Sequence, residues 1–384
     1  MLFKEIKGNL EIKNQLILGV KNKRISQSQI FIGEKGNAKL ALALAYAQYL
    51  NCENKKNNDS CNSCNTCVKY KKLLHPDLHI FFPTIKTNKI KNPTSKNYLN
   101  KWIEVVKKNP YISLGYWVDS FENENKTGKQ AVIYKSEIEE MHKILALKKY
   151  ESKYRIMLIW MPEKMNLEAS NKLLKTLEEP PEKTIFLLVS EDRFSLLKTI
   201  KSRVQLIKTP AFTTKEIVDY LEEKNNVFDD IGTLEKITNS DLGEIIQIQK
   251  NKIKTTNIFL NFSNWMRLIY KKDIQEISKW TEEISRIGRK NQRLLCLYTL
   301  KMIRESIMYS FSNKKLLKTN QKETEFISNF FVFIHEKNRY EIIKKIDETI
   351  KAISRNANSK ILFFELSLQL MVLLKRKSKF VEIK

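Results

Sequence analysis

Five short apolar runs punctuate the first 210 residues, and stretches with helical periodicity fill the gaps between them. The runs are Gln29–Ile32, His79–Phe82, Arg155–Trp160, Thr184–Val189 and Val204–Ile207. Runs this short and this apolar suit strands buried on both faces. Strands that alternate with helices form a parallel sheet covered on both sides. An α/β domain over residues 1–209 is therefore predicted. After Pro210 the strand signal stops. Thr213-Thr214-Lys215-Glu216 reads as a capping box. Short helices are expected over 210–255. Long amphipathic ones, such as 253–269, 291–311 and 340–353, are expected over 256–384. With 9 Gly and 8 Pro in 384 residues, a turn-rich all-β chain is disfavoured. A hydrophobic content of 42% suffices for a core and rules out a wholly disordered chain.

Within the first domain, Ile6, Leu10, Ile17 and Val20 fall on one stripe and predict a helix over 4–24. Helices are also predicted over 135–148 and 166–178, the second stopped by Pro180-Pro181. Residues 194–203 read as a helix or turn. The segment 84–130 differs in texture. It is rich in Lys and Asn yet carries Trp102, Tyr111, Tyr116, Trp117 and Phe121, and it reads as an insertion partly ordered by these aromatics.

Four of the five cysteines fall in one cluster, Cys52-x8-Cys61-x2-Cys64-x2-Cys67. Two-residue spacers let neighbouring thiolates converge on one ion. Four protein ligands leave no open position for water, which is the pattern of a structural zinc. An iron–sulfur cluster and free buried thiols are the competing readings. Cys296 sits in an apolar helical run and reads as core.

Gly33-Glu34-Lys35-Gly36-Asn37-Ala38-Lys39-Leu40 follows the first strand and aligns with G-x-x-x-x-G-K-[ST]. In such a loop, backbone N–H groups cradle phosphates, the Lys reaches the terminal phosphates and a hydroxyl binds Mg²⁺. Gly33, Gly36 and Lys39 are nucleotide-binding candidates. Ala38, however, stands where the second motif glycine belongs, and Leu40 replaces the hydroxyl. The strand 155–160, which should end in a metal-binding acid, ends in Trp160-Met161-Pro162, with Glu163 several places late. No hydrolysis is expected. Weak nucleotide binding and none at all both remain open.

Just before the last strand stands Ser202-Arg203. An Arg there can be an ordinary surface cation. It can also stabilise phosphoryl-transfer charge in a neighbouring subunit's site, a sensible role in a chain whose own site is incomplete.

Lys and Arg number 69 against 43 Asp and Glu, a net charge of +26. Such an excess suits a polyanion, nucleic acid first. A compositional Lys/Asn/Ile habit explains it equally well. The N-terminal stretch lacks a long apolar core, and no run is long enough to span a membrane. A cytoplasmic location is expected.

Five segments carry a family likeness: Gln29–Leu40, the cluster Cys52–Cys67, His75-Pro76-Asp77, Asn166–Pro181 and Leu196–Gln205. Together they resemble the δ′ subunits of bacterial DNA polymerase III clamp loaders, within the AAA+ group. The likeness covers residues 1–210; beyond that only the helical order agrees. It implies an AAA+-type sheet domain with an inserted zinc module at 52–67, a helical lid over 210–255 and a helical collar for oligomerisation over 256–384. It also implies a subunit that does not hydrolyse ATP, within the DNA-directed DNA polymerase III holoenzyme, a nucleotidyltransferase.

The implied partners are γ/τ and δ subunits, the sliding clamp through the complex, and primer–template DNA through its phosphates. ATP would be bound by the partners, and Arg203 with Ser202 would serve a γ/τ site as an arginine finger. Val204 replaces a family Cys there. The long insertion and Trp160-Met161-Pro162 are further departures. Ser240–Glu244 holds no arginine where an ATPase member could carry a sensing one. The alternatives are an active γ/τ-type ATPase and a free-standing zinc-bearing DNA-binding protein.

Overall fold

The computed structural model describes residues 1–56, 58–87, 90, 92–121, 130–192, 196–224, 241–250, 252–311, 319, 321–355 and 357–375. Parts of the predicted insertion and lid, Ser240 among them, lie outside the described residues. The contacts divide the chain into two compact units. One holds the sheet, the helix at 214–223 and residues 241–246; the other holds the helices after 252.

In the first unit, β1 (Ser28–Ile32), β2 (Leu78–Phe81), β3 (Arg155–Trp160), β4 (Thr184–Ser190) and β5 (Gln205–Lys208) form one sheet in the order β2-β3-β4-β1-β5. Every pairing is parallel. Each strand falls within about one residue of its apolar run; β3 and β4 are buried along their whole length, whereas the edge strand β5 buries only Ile207. Among the described residues, nine α-helices lie wholly in this unit: α1 (Leu10–Lys21), α2 (Lys39–Asn51), α3 (Asn65–Lys72), α4 (Ser95–Lys108), α5 (Leu114–Asp119), α6 (Lys135–Ala146), α7 (Leu167–Glu178), α8 (Lys198–Lys201) and α9 (Thr214–Glu223); the start of a further helix, Leu242–Lys250, belongs to it as well.

Both sheet faces are covered. Ile30 joins Met157, Phe186 and Leu188 in a core with Ile138 and Met141 of α6 and Leu173 and Leu177 of α7. Phe31 points the other way, its ring centroid 6.4 Å from that of Tyr46 on α2. That alternation is the strand's two-residue period at work. Helix α2 is buried at every residue.

The helix predicted over 4–24 is shorter. A 3-10 turn at Phe3–Glu5 is separated from α1 by Gly8 and Asn9, with φ of 60° and 57°. A helix cannot pass through two consecutive left-handed residues. Thr213 caps α9 and Glu216 reciprocates, as the capping box requires.

The insertion contributes α4 and α5, and all of its named aromatics but the half-buried Tyr116 are core residues. Trp102, Trp117 and Phe121 are fully buried. Trp102 stacks on Phe82 with centroids 5.3 Å apart, and Trp160 meets it edge-on at 6.2 Å. The Trp117 indole N–H donates to the Pro83 carbonyl at 2.7 Å. The odd end of β3 thus has a packing reason: Trp160 fills the seam between the sheet and the insertion.

The second unit has its own core. Trp265 stacks on Trp280 at 4.9 Å and donates its indole N–H to Ser367 Oγ at 2.8 Å. Phe262, Ile342, Ile346, Leu366 and Leu370 pack in the same cluster, as does Cys296. The predicted long helices are present at Lys252–Lys271, Arg289–Ser310 and Arg339–Ser354. Among the described residues no helix is long and apolar enough to cross a membrane.

Candidate functional site

The cysteines come together on the ends of two helices. Cys52 directly follows α2, Cys64 caps α3 and Cys67 lies in its first turn. The Sγ atoms of Cys52, Cys61, Cys64 and Cys67 all lie within 4.8 Å of one another. The pair Cys61–Cys67 is 3.8 Å apart. A tetrahedral ion about 2.3 Å from each sulfur separates the sulfurs by roughly 3.8 Å. Backbone N–H groups already point at three of them: Cys61 N–H at Cys52 Sγ (3.2 Å), Cys64 N–H at Cys61 Sγ (3.3 Å) and Cys67 N–H at Cys64 Sγ (3.4 Å). Such donors stabilise thiolates, so the donor set fits a thiophilic metal ion. The module is docked by Asp59, whose carboxylate accepts from the amides of Phe3 (3.1 Å) and Lys4 (3.0 Å).

The His75-Pro76-Asp77 segment is structural. The Asp77 carboxylate accepts from the amides of Tyr150, Glu151 and Ser152 and from the Ser152 hydroxyl, at 2.7–3.0 Å. It ties the start of β2 to the turn before β3.

The glycine loop is filled by the chain itself. Lys39 is 1% exposed. Its Nζ donates to the Glu34 carbonyl at 2.7 Å and to Asn37 Oδ1 at 3.3 Å. The Lys39 amide also donates to Asn37 Oδ1, at 3.1 Å. Asn37 Nδ2 is anchored to the Thr209 carbonyl, just past β5, at 2.7 Å. Gly33 is needed because a Cβ there would fall 1.8 Å from Asn37 Nδ2. Gly36, at φ 69°, carries the Asp241 carboxylate against it, 1.9 Å from where a Cβ would stand. Leu40, in the hydroxyl position, is buried in the core.

The loop's electrostatics are acidic. Burial pulls the Lys39 pKa down, and the carboxylates of Glu191, Asp241 and Glu163 oppose that pull. Glu191 Oε1 lies 3.8 Å from the ammonium. Burial also pushes the Asp241 carboxyl up to about 6, against the Glu244 amide that donates to it. Glu163, several places beyond β3, accepts from the Glu191 amide at 2.8 Å. It is thus closer to Lys39 in space than its sequence position suggests.

Sequence reasoning missed Asn37, Glu191 and Asp241. Asn37 occupies a position the motif leaves unspecified. Asp241 was noticed only as part of a segment without arginine.

Arg203 sits at the other end of the sheet. Strands β1 and β5 run in register from Gln29↔Gln205 to Ile32↔Lys208. Gly33 therefore follows the carboxyl ends of the strands, whereas Arg203 precedes the amino end of β5. Six residues along a strand separate the two levels by about 20 Å, too far for Arg203 to serve its own loop. Its Nε donates to Glu178 Oε1 at 2.6 Å, and Nη2 pairs with the same carboxylate. Nη1 donates to the Thr199 carbonyl (2.9 Å) and to Ser202 Oγ (3.2 Å). The side chain is 32% exposed.

Residues 8–213 match the family described as “DNA polymerase III, delta subunit”. A DNA polymerase III subunit delta′ of Buchnera aphidicola (subsp. Schizaphis graminum) is 40% identical over 79 residues, 20% of this chain and 24% of that protein. The delta′ subunit of Bacillus subtilis is 30% identical over 119 residues, 31% and 36% of the two chains. A gamma subunit from the same Buchnera is 24% identical over 221 residues, 50% and 61%. This chain spans less than two thirds of each of these relatives. Among solved structures, a gamma subunit-related protein of Thermotoga maritima aligns with 94% of this chain and 99% of its own, at 14% identity and a TM-score of 0.41.

Proposed function

Because the chain belongs to the DNA polymerase III delta-subunit family, we propose that it is a δ′-type clamp-loader subunit that hydrolyses no nucleotide and lends Arg203 to a neighbour's ATPase site. The observation that carries this reading is the opposition of the two sites. The chain's own loop holds Asn37 and Asp241, while its surface arginine lies beyond reach of that loop. In the free chain Glu178 neutralises the guanidinium. A half-exposed pair of this kind is worth about 0–1 kcal/mol, so a partner's polyphosphate can displace it.

The matches to gamma subunits favour a second reading, a nucleotide-hydrolysing member. Leu40 and the missing acid at the end of β3 speak against it, since neither Mg²⁺ contact is supplied. In the proposed assembly, ATP bound at a γ/τ-type subunit drives clamp opening, and the helices after 252 form the collar. Contacts with primer–template DNA are made through phosphates and are sequence-blind. Cys52, Cys61, Cys64 and Cys67 hold a zinc ion that braces the loop between α2 and α3.

Reconstitution with the cognate γ/τ- and δ-type subunits tests the proposal. Arg203→Ala leaves the isolated chain's thermal midpoint unchanged and lowers the complex's DNA-stimulated ATPase by about 10³-fold or more, the range for a lost arginine finger. Unaltered ATPase in the assembled mutant complex would remove the assignment.

A further inference from the structure

The Asn37 side chain makes contacts that a bound phosphate would otherwise make. Its Oδ1 accepts from two donors, the Lys39 amide (3.1 Å) and the Lys39 ammonium (3.3 Å). In a phosphate loop these donor types, a backbone N–H at the helix start and the lysine Nζ, face phosphate oxygens. The other end of the same amide is pinned to the Thr209 carbonyl at 2.7 Å, and Asn37 is 2% exposed. The carbonyl oxygen is therefore held in place by β5's following residue rather than swinging in solvent. Its Nδ2 also lies where any Cβ on Gly33 would go, so the first motif glycine serves the asparagine here.

We propose that Asn37 is a built-in ligand of this loop, its amide oxygen standing in for a phosphate oxygen, and that this contact closes the loop to anions. The lost hydroxyl at Leu40 removes metal binding; Asn37 separately removes phosphate binding. The two losses are chemically distinct. A loop freed of Asn37 alone takes a phosphate-class anion without Mg²⁺. The carboxylate of Asp241 against Gly36 opposes such an anion, so the affinity gained is modest until that charge is also removed.

The inference rests on the proposed reading that this chain's own loop hydrolyses no nucleotide, extended here to a wild-type loop that binds none, and one titration separates that extension from the role of Asn37. Pyrophosphate is titrated calorimetrically into the full chain with no added metal, for wild type, Asn37→Gly, Asn37→Gly/Asp241→Asn and Asn37→Gly/Lys39→Met. Wild type shows no heat of binding. Asn37→Gly binds at least about tenfold more tightly than the weakest affinity the titration detects, the value of one displaced hydrogen-bonding competitor. The Asp241→Asn addition tightens it further, and the Lys39→Met addition abolishes it. Thermal midpoint and zinc content, matched to wild type, establish that each variant is folded; Asn37→Ala replaces Asn37→Gly if the latter fails that check. Folded variants that bind no better than a silent wild type overturn the Asn37 proposal and leave the non-binding reading standing. Tight binding by wild type overturns both.

Discussion

Two buried carboxylates in the sheet-bearing unit behave in opposite ways, and their donors explain the difference. Burial raises the Asp77 carboxyl, but three backbone amides and a hydroxyl outweigh it and hold the group below its ordinary value. Glu137, on the first turn of α6, is 2% exposed and accepts from the Ser95 amide at 2.9 Å, with the Ser95 side chain as its other donor. Burial wins there and pushes its carboxyl up to about 7. The folded chain thus binds this proton more tightly than the unfolded chain. The stability Glu137 contributes is complete below its unfolded pKa of about 4.3 and is lost as pH rises toward 7, on the order of 3 kcal/mol in all. Glu137→Gln should remove that loss. Its stability advantage over wild type grows from pH 5 to pH 8, read from thermal or urea denaturation at each pH. A constant difference between the two proteins would contradict this account. Nothing in the sequence around Glu137 announces it, because its partner lies 42 residues away; Asp77, by contrast, sits in a recognisable three-residue motif.

Strands and long helices were readable because period and burial coincide: β3 and β4 are apolar throughout, and α7 ends at its prolines. The four-cysteine cluster was readable because all four thiols lie within sixteen positions. The loop's plug was not. Asp241 is over two hundred residues from Gly36 in sequence, and Asn37 is an unremarkable residue until Thr209 is brought beside it. Elements α4 and α5 were foreseen only as aromatic content, since Trp102 reveals its purpose only against Phe82 and Trp160.

The proposed zinc module yields a prediction of its own. Elemental analysis of the purified chain returns about one zinc, and Cys67→Ser loses it. Cys67 is buried between α3 and the other thiolates, so the vacated ligand set destabilises the sheet-bearing unit by a few kcal/mol, as loss of a native-state ligand does. Calorimetry resolves this as a lower first transition. An unchanged transition in a zinc-free variant would mean the loop between α2 and α3 stands without metal.

The two units differ in how their contacts are distributed along the chain. The second is built from consecutive helices. The first closes only when β1 is flanked, and its described ladder partners are β4 and β5 alone. A chain ended at residue 183 lacks both. It should be digested rapidly in limited proteolysis where the full chain is protected, and native-like protection of residues 1–183 would argue against the obligatory closure.

The placement of β1 also matters on the ribosome. Ser28 pairs with Phe186. At about 5–20 residues per second of synthesis, an apolar strand waits roughly 8–30 s for its first neighbour. All four cysteines of the cluster are made by residue 67, so an ion held there would be in place long before then. The nascent chain therefore passes through a stage with one finished corner and an exposed, sticky centre, when holding chaperones have the most to protect.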